Sequence, residues 1–133
     1  MHKQSHRILG RARFLCAIVL AVSCSAVFGQ SWPTRPVTVV VPFPPGGPSD
    51  VAARPMAKAL SENLKQPFVI DNRGGATGNI GAALVAKAVP DGYTLLISSG
   101  APIVINPSLF KAMPFDPAKD LAPITNLLRV PLV

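Results

Sequence analysis

Three short runs of apolar residues along the chain predict buried β-strands. The first, Val37–Val41, is a β-branched segment closed by Pro42, a pattern typical of a strand covered on both faces. The second and third occupy residues 68–70 and 93–97, and a stretch rich in glycine, serine or asparagine follows each of them. Such strands need a covering layer on each side of their sheet.

An amphipathic helix is predicted over residues 49–65. Apolar residues such as Met56 and Leu60 recur at spacings of three and four, and charged residues occupy the other faces. Pro55 falls inside this pattern, where its ring removes a backbone donor and crowds the preceding turn, at about 3 kcal/mol in a helix interior. We therefore expect the helix either to kink at Pro55 or to begin its regular part near Arg54.

Further helices complete an alternating order of elements. A second helix is predicted over residues 79–88, whose many alanines suit close packing on a sheet. Asn106 followed by Pro107 predicts another helix start, with the asparagine as cap and the proline in the first turn. Asp116 followed by Pro117 repeats this signal. The order strand, helix, strand, helix, strand, helix predicts an α/β fold with a parallel sheet, right-handed crossovers and helices on both sides.

The N-terminus carries the three zones of a secretory signal. Basic residues precede an apolar stretch at residues 14–22, and small residues follow it. That stretch is too short to span about 30 Å of hydrocarbon. We predict a cleaved signal peptide over residues 1–29 and a mature chain from Gln30, with a second cleavage point after Ala26. An uncut membrane anchor and a lipid attached at Cys24 are the alternatives.

The composition of residues 30–133 argues against several classes of function. Of the formal charge of +7, the signal carries +4, which leaves +3 on singly scattered lysines and arginines. Nucleic-acid binding needs a basic stripe with interleaved aromatics, so we expect no nucleic-acid partner. Cys16, Cys24 and the last histidine, His6, all lie in the signal. We therefore expect no disulfide, no cysteine catalysis, no metal site and no cofactor.

The loops after the three strands carry the candidate binding chemistry. Their sequences are FPPGGPSD, RGGATGN and SSGAPIVIN, all rich in small or neutral polar residues. In a parallel sheet the loops at the carboxyl ends of the strands gather along one edge, and each leads to a helix N-terminus with free amide donors. Such an edge suits a small organic anion held by neutral donors. Four or five bonds of roughly 1.5–3 kcal/mol each could hold a dicarboxylate.

Each of these loop residues also has a purely structural interpretation. Gly46 and Gly47 could serve only a sharp turn, and Asp50 could be a first-turn acid or a cap. Ser99 and Asn106 could be ordinary turn and cap residues. Enzyme motifs are missing: the first loop lacks the Lys-Ser/Thr ending of a P-loop, and the sequence contains no GxSxG elbow. We expect a binding protein that performs no chemistry.

Four segments carry a resemblance to a known family. The strings VPFPPGGPSD, NIGA, PDGYTLL and INPSL occur in this order, and the mature chain resembles the start of the tripartite tricarboxylate transporter receptors, also called Bug solute-binding proteins. The resemblance implies a type II periplasmic-binding-protein-like fold, in which two α/β lobes close around a small carboxylate. It also implies a periplasmic location and membrane transporter subunits as partners.

The resemblance also implies which residues contact the ligand, in part through bound water. Carried over by motif, the expected ligand-binding residues lie in all three loops: Phe43, Gly46, Gly47, Ser49, Asp50, Gly78, Asn79, Ser99 and Asn106.

The sequence departs from the family pattern at three positions and in length. Gly74 and Thr77 stand where a proline and a glycine are common, and Pro55 interrupts a helix that is usually unbroken. Family members are much longer, and this chain stops within an apolar run. We therefore expect residues 30–133 to form a partial, truncated N-terminal lobe, with the second lobe absent. The alternative is a non-functional or partner-dependent remnant without independent binding.

Overall fold

The computed structural model describes residues 31–128. The predicted signal peptide, with Cys16 and Cys24, lies outside the described residues, as do the last five residues of the chain. The α/β unit begins at Pro33. No helix within residues 31–128 has both the length and the apolar character needed to cross a membrane.

A three-stranded parallel sheet forms the centre of this unit. Strand β1 is Val37–Val41, β2 is Phe68–Asn72 and β3 is Thr94–Leu96, in the spatial order β2-β1-β3. Val39 of β1 lies opposite Ile70 on one side and Leu95 on the other. The predicted parallel sheet is therefore confirmed, with β2 two residues longer and β3 two residues shorter than the sequence pattern indicated.

Helices connect the strands and follow the last one. Helix α1 covers Pro48–Leu64 and helix α2 covers Asn79–Ala86, where α2 ends two residues before its predicted end. Two short helices come after β3, α3 at Asn106–Leu109 and α4 at Pro117–Asp120. Irregular turns precede α2 and α3: a 3-10 turn at Ala76–Gly78 and a π turn at Ala101–Ile105.

Pro55 does not set the start of helix α1. The helix begins at Pro48 and continues through Pro55, so the expected start near Arg54 is wrong. Pro48 occupies the first turn, where its fixed φ favours the helix. Ala53 and Ala57 flank Pro55 and are both buried in the core. Packing on either side of the proline therefore offsets the hydrogen bond that its missing N–H cannot make.

The core lies on both faces of the sheet. On one face, Val37, Val39 and Val41 pack with residues of α1 and with Phe68 and Ile97. Neighbouring residues of β3 divide between the two faces, because Leu95 joins this cluster whereas Leu96 packs against Ala82, Ala83 and Phe115. Helices α1 and α2 thus cover opposite faces, which confirms the predicted helices on both sides.

Helix α2 approaches the backbone of the first two loops closely at Gly81. A Cβ atom added there would lie 2.6 Å from the carbonyl oxygen of Arg73 and 2.8 Å from Cβ of Pro42. Real Cβ contacts are essentially never this short. The helix therefore needs glycine at this position in order to seat against the loops.

We expect Gly81→Ala to destabilise the fold by about 1–3 kcal/mol, because the methyl group would force backbone atoms apart. Gly100→Ala is the matched control, since a Cβ at Gly100 meets nothing within 4 Å and its φ of −64° suits alanine. Thermal melts followed by circular dichroism compare the two variants. Equal melting temperatures would contradict the tight packing at Gly81.

Candidate functional site

The three loops that follow the strands meet at one edge of the sheet. The side-chain amide of Asn72, at the end of β2, donates to the carbonyl of Phe43 in the first loop at 3.1 Å. A Cβ added at Gly78 in the second loop would lie 3.2 Å from Cζ of Phe43 and 3.3 Å from Cγ of Pro102. Pro102 belongs to the third loop. The first and third loops therefore both approach the second loop at this edge.

Asp50 organises the first of these loops. Its carboxylate is 1% exposed and accepts from the Gly46 amide at 2.9 Å, from Asn72 at 3.0 Å and from two nitrogens of Arg54 at 2.8 and 3.0 Å. These donors favour the ionised form, with Arg54 the strongest, and lower the pKa of Asp50 from 3.8 to about 2. Asp50 therefore acts as a first-turn acid with internal partners, and its direct contact with a ligand stays a prediction.

Gly46 and Gly47 adopt different backbone conformations, so glycine stands at the two positions for different reasons. Gly46 has φ of +82°, a region that side chains rarely adopt, so a turn requires glycine there. Gly47 has φ of −74°, which any residue can adopt, and it is the N-cap of α1 without a side-chain cap. Ser49 follows in the first turn and is half-buried. The sharp turn thus explains Gly46. At Gly47 the reason is space, because an added Cβ would lie 3.3 Å from the carbonyl oxygen of Pro44.

A pair of buried asparagines ties the second loop to the third. Asn106 is fully buried, and its Nδ2 donates to the carbonyl of Thr77 at 3.1 Å and to Oδ1 of Asn79 at 2.6 Å. Asn79 is 4% exposed, and its own Nδ2 lies 3.4 Å from Sδ of Met113. We call the Asn79–Asn106 pair the asparagine latch. It fixes the backbone of the second loop against the start of α3.

The asparagine latch corrects one prediction. Helix α3 does begin at Asn106, but its N-cap is Ile105 and no side chain caps the helix. The predicted capping role of Asn106 is therefore wrong, because its amide turns inward to bond the neighbouring loop instead. By contrast, Oδ1 of Asp116 accepts from the Ala118 amide at 3.0 Å, so the second predicted helix start is a true cap.

One atom of the asparagine latch lacks a donor. Oδ1 of Asn106 is buried and has no hydrogen-bond partner among residues 31–128. Buried acceptors in folded proteins almost always receive a hydrogen bond, from protein or from ordered water. The latch therefore offers an unused acceptor at the junction of the second and third loops.

The remaining polar groups at the edge are exposed or paired. Ser99 is exposed, and its carbonyl accepts from the hydroxyl of Ser98 at 2.9 Å. Arg73 is also exposed and bonds both carboxylate oxygens of Asp71 at 2.9 Å. Arg73, like Arg54, is thus neutralised by a carboxylate. Residues 31–128 contain no cluster of three or more metal-ligating His, Cys, Asp or Glu side chains.

Three residues that shape the site were not predicted from the sequence. Asn72 joins the first two loops, Pro102 fills the space beside Gly78, and Met113 contacts the latch. For Asn72 a signal was present, since an asparagine at the end of a strand and before a glycine-rich loop is typical of a side chain that bonds loop backbone. The other two depend on contacts between distant segments and have no local signature.

We expect the stabilising effect of Asp50 to depend on pH. Because folding lowers the pKa of Asp50, the contribution is complete above the unfolded value of 3.8 and is lost as the pH falls through about 2. Thermal melts of the wild type and of Asp50→Asn from pH 6 to pH 2 measure this. The wild type should melt at least about 5 °C higher at pH 6, and the gap should close at low pH. A melting-temperature difference that stays constant from pH 6 to pH 2 would contradict the lowered pKa of Asp50.

We expect Asn106→Asp to destabilise the fold by about 2 kcal/mol or more, because it replaces the donor facing Thr77 and Asn79 with a buried acceptor. Asn63→Asp is the control, since Asn63 donates to a backbone carbonyl on an exposed face of α1. Denaturant titration gives both values, and amide exchange at Ile80 reports on the loop. A change within about 0.5 kcal/mol for both variants would show that the latch is dispensable.

This chain is similar in sequence to known proteins. The sequence model of the tripartite tricarboxylate transporter family receptor matches residues 52–133. Protein BugT of Bordetella pertussis is 44% identical over 117 residues, which are 87% of this chain and 36% of that protein. A second relative, a UPF0065 protein of Bordetella bronchiseptica, is 40% identical over 134 positions, which are 98% of this chain and 40% of that protein.

Solved structures show the same similarity at the level of the fold. Rpa4515 of R. palustris, solved with adipate, matches 65% of this chain with a TM-score of 0.63 and 50% identity. MatC of Rhodopseudomonas palustris, solved with bound malate, matches 67% with a TM-score of 0.64 and 42% identity. This chain covers 29% and 30% of those two structures. The fold is accordingly that of part of a periplasmic binding protein.

The chain spans about 36% to 40% of the length of the two curated relatives named above. The family match covers more than half of this chain. The predicted resemblance is therefore confirmed. This chain belongs to the tripartite tricarboxylate transporter receptor family.

Proposed function

We propose that residues 30–133 form part of one wall of a periplasmic receptor for small carboxylates. The observation that carries this proposal is the convergence of three strand-end loops, in which Phe43, Gly78 and Pro102 meet. In open α/β sheets, ligands bind in the crevice outside the carboxyl ends of the strands. The ligand-binding roles carried over from the family motifs, including those of Ser49 and Ser99, belong to this proposal.

The electrostatics of the edge favour an anion held by neutral donors. No side chain caps the first turn of α1, so amides of that turn face the first loop with the positive end of the helix dipole behind them. The arginines nearby, Arg54 and Arg73, are engaged with Asp50 and Asp71. A carboxylate would therefore be bound by backbone amides and water rather than by a salt bridge.

The two structures with bound ligand support this chemistry. Adipate and malate, carried by Rpa4515 and MatC, are both dicarboxylates. On this proposal the present chain serves a ligand of the same class, without catalysing a reaction and without a cofactor. The receptor would deliver the ligand to the membrane subunits of a tripartite transporter.

A cleft with a single wall holds a ligand weakly. The chain spans little more than a third of its relatives, and a small ligand gains affinity by burying most of its surface between two walls. The alternative function, a partner-dependent or inactive fragment, rests on the same observation. A cooperative thermal melt of the mature chain would favour an independently folded unit over that alternative.

The proposal can be tested with a chimera in which the mature chain replaces the matching segment of MatC. We expect the chimera to bind malate, succinate or adipate with a micromolar dissociation constant in calorimetry, while the mature chain alone stays above that range. Gly78→Ala in the chimera should weaken binding at least about tenfold, because its methyl group would displace Phe43 and Pro102.

Gly100→Ala serves as the control in the chimera, since it keeps the backbone amide of the third loop and meets no neighbour. Its affinity should stay within about threefold of the parent, a change of less than 1 kcal/mol. A folded chimera that binds none of the three dicarboxylates would refute the proposal. Equal dicarboxylate affinities for Gly78→Ala and Gly100→Ala would show that the loop junction is not part of the binding site.

A further inference from the structure

Met113 places a thioether sulfur beside the asparagine latch. Nδ2 of Asn79 donates to Sδ of Met113 at 3.4 Å. The Met113 side chain also packs against a small apolar cluster, which consists of Ala82, Ala83 and Phe115. Asn79 is 4% exposed, whereas Met113 is half-buried. Met113 therefore links a buried pair of polar side chains to a side chain that solvent reaches.

A thioether that solvent reaches is open to two-electron oxidation by a hydroperoxide. The O–O bond of hydrogen peroxide breaks, one oxygen bonds to the sulfur, and the other oxygen leaves as water with both protons. The sulfur loses two electrons and the peroxide gains them. The product, methionine sulfoxide, is polar and chiral, whereas the thioether is apolar and a weak acceptor. At Met113 the new oxygen is added to the atom that receives the bond from Asn79.

The added oxygen disturbs this bond in either orientation. An N–H···O bond needs about 2.7–3.2 Å between nitrogen and oxygen, but the sulfur itself lies only 3.4 Å from Nδ2 of Asn79. An oxygen turned toward the amide therefore fits only if Met113 withdraws. An oxygen turned away takes the acceptor role with it and leaves a buried amide without its acceptor, which is costly. Oxidation thus displaces Met113 or Asn79.

Asn79 passes such a displacement on to the second loop. Its Oδ1 accepts from Nδ2 of Asn106 at 2.6 Å, and the same nitrogen donates to the carbonyl of Thr77 at 3.1 Å. Thr77 has φ of +55° and Ala76 has φ of +47°. Such conformations persist only where surrounding contacts hold them. A shift of Asn79 therefore removes support from a strained segment.

We propose that Met113 is an oxidation site for hydroperoxides, and that its sulfoxide opens the asparagine latch and loosens the second loop. Met56 is the contrasting case, because it is also half-buried but packs against the apolar cluster around Val39, on the opposite face of the sheet. Methionine sulfoxide reductases return the thioether, so the change is reversible. The inference concerns the stability of the loop and does not depend on the proposed ligand.

The test uses two variants of the purified chain. Met56→Leu keeps Met113, and Met113→Leu keeps Met56. Exchange of methionine for leucine conserves volume and is well tolerated in cores. Met1 is common to both variants, so their difference isolates the two internal methionines. Both are treated with hydrogen peroxide, and peptide mass spectrometry follows the sulfoxide at each retained methionine.

Amide exchange at Gly78 reports on the second loop, because this amide donates to the carbonyl of Gly75 at 3.0 Å. In Met56→Leu we expect the oxidised protein to exchange this amide at least about tenfold faster than the reduced protein. In Met113→Leu the rate should stay within about threefold of its value before treatment. Incubation of oxidised Met56→Leu with methionine sulfoxide reductases should restore the slower exchange.

Three outcomes would overturn this inference. The first is equal acceleration of Gly78 exchange in the two variants. The second is formation of the Met113 sulfoxide without a change in that exchange. The third is a Met113 that stays reduced under peroxide treatment that fully oxidises Met56. Each outcome is measured without a ligand, so the failure of carboxylate binding and the failure of this inference are distinguishable.

A second measurement covers the case in which the purified chain does not fold on its own. The same two substitutions are made in the MatC chimera, whose other methionines are common to both variants. Peroxide should lower the melting temperature of Met56→Leu at least about 5 °C more than that of Met113→Leu. Equal shifts in melting temperature would contradict the assigned role of Met113.

Discussion

The central position of strand β1 is the constraint on which the site depends. Val39 and Val40 are fully buried on opposite faces of the strand, and β1 pairs in parallel with both β2 and β3. Burial of each valine contributes about 1.5–3 kcal/mol, and a shift of one residue would exchange the two faces. The register is therefore fixed, and it brings the loops after the three strands to one edge.

Much of the fold could be predicted because its signals are local. The β-branched run of β1, the helical period of α1 and the proline after Asp116 each act within a few residues. The site was harder, because its contacts join segments far apart in sequence. Asp50 and Asn72 lie 22 residues apart and Asn79 and Asn106 lie 27 apart. The capping pattern at Asn106 correctly predicted a helix start. It also predicted that the Asn106 side chain caps this helix, but the side chain bonds distant residues of the second loop instead.

The second loop contains backbone that glycine would favour. Thr77 has a φ of +55°, which lies in the left-handed region. Ala76 beside it has φ of +47°. A residue other than glycine is disfavoured there by roughly 1–2 kcal/mol. The bond from Asn106 to the carbonyl of Thr77 holds this strained backbone in place, so the asparagine latch offsets the strain of a side chain at position 77.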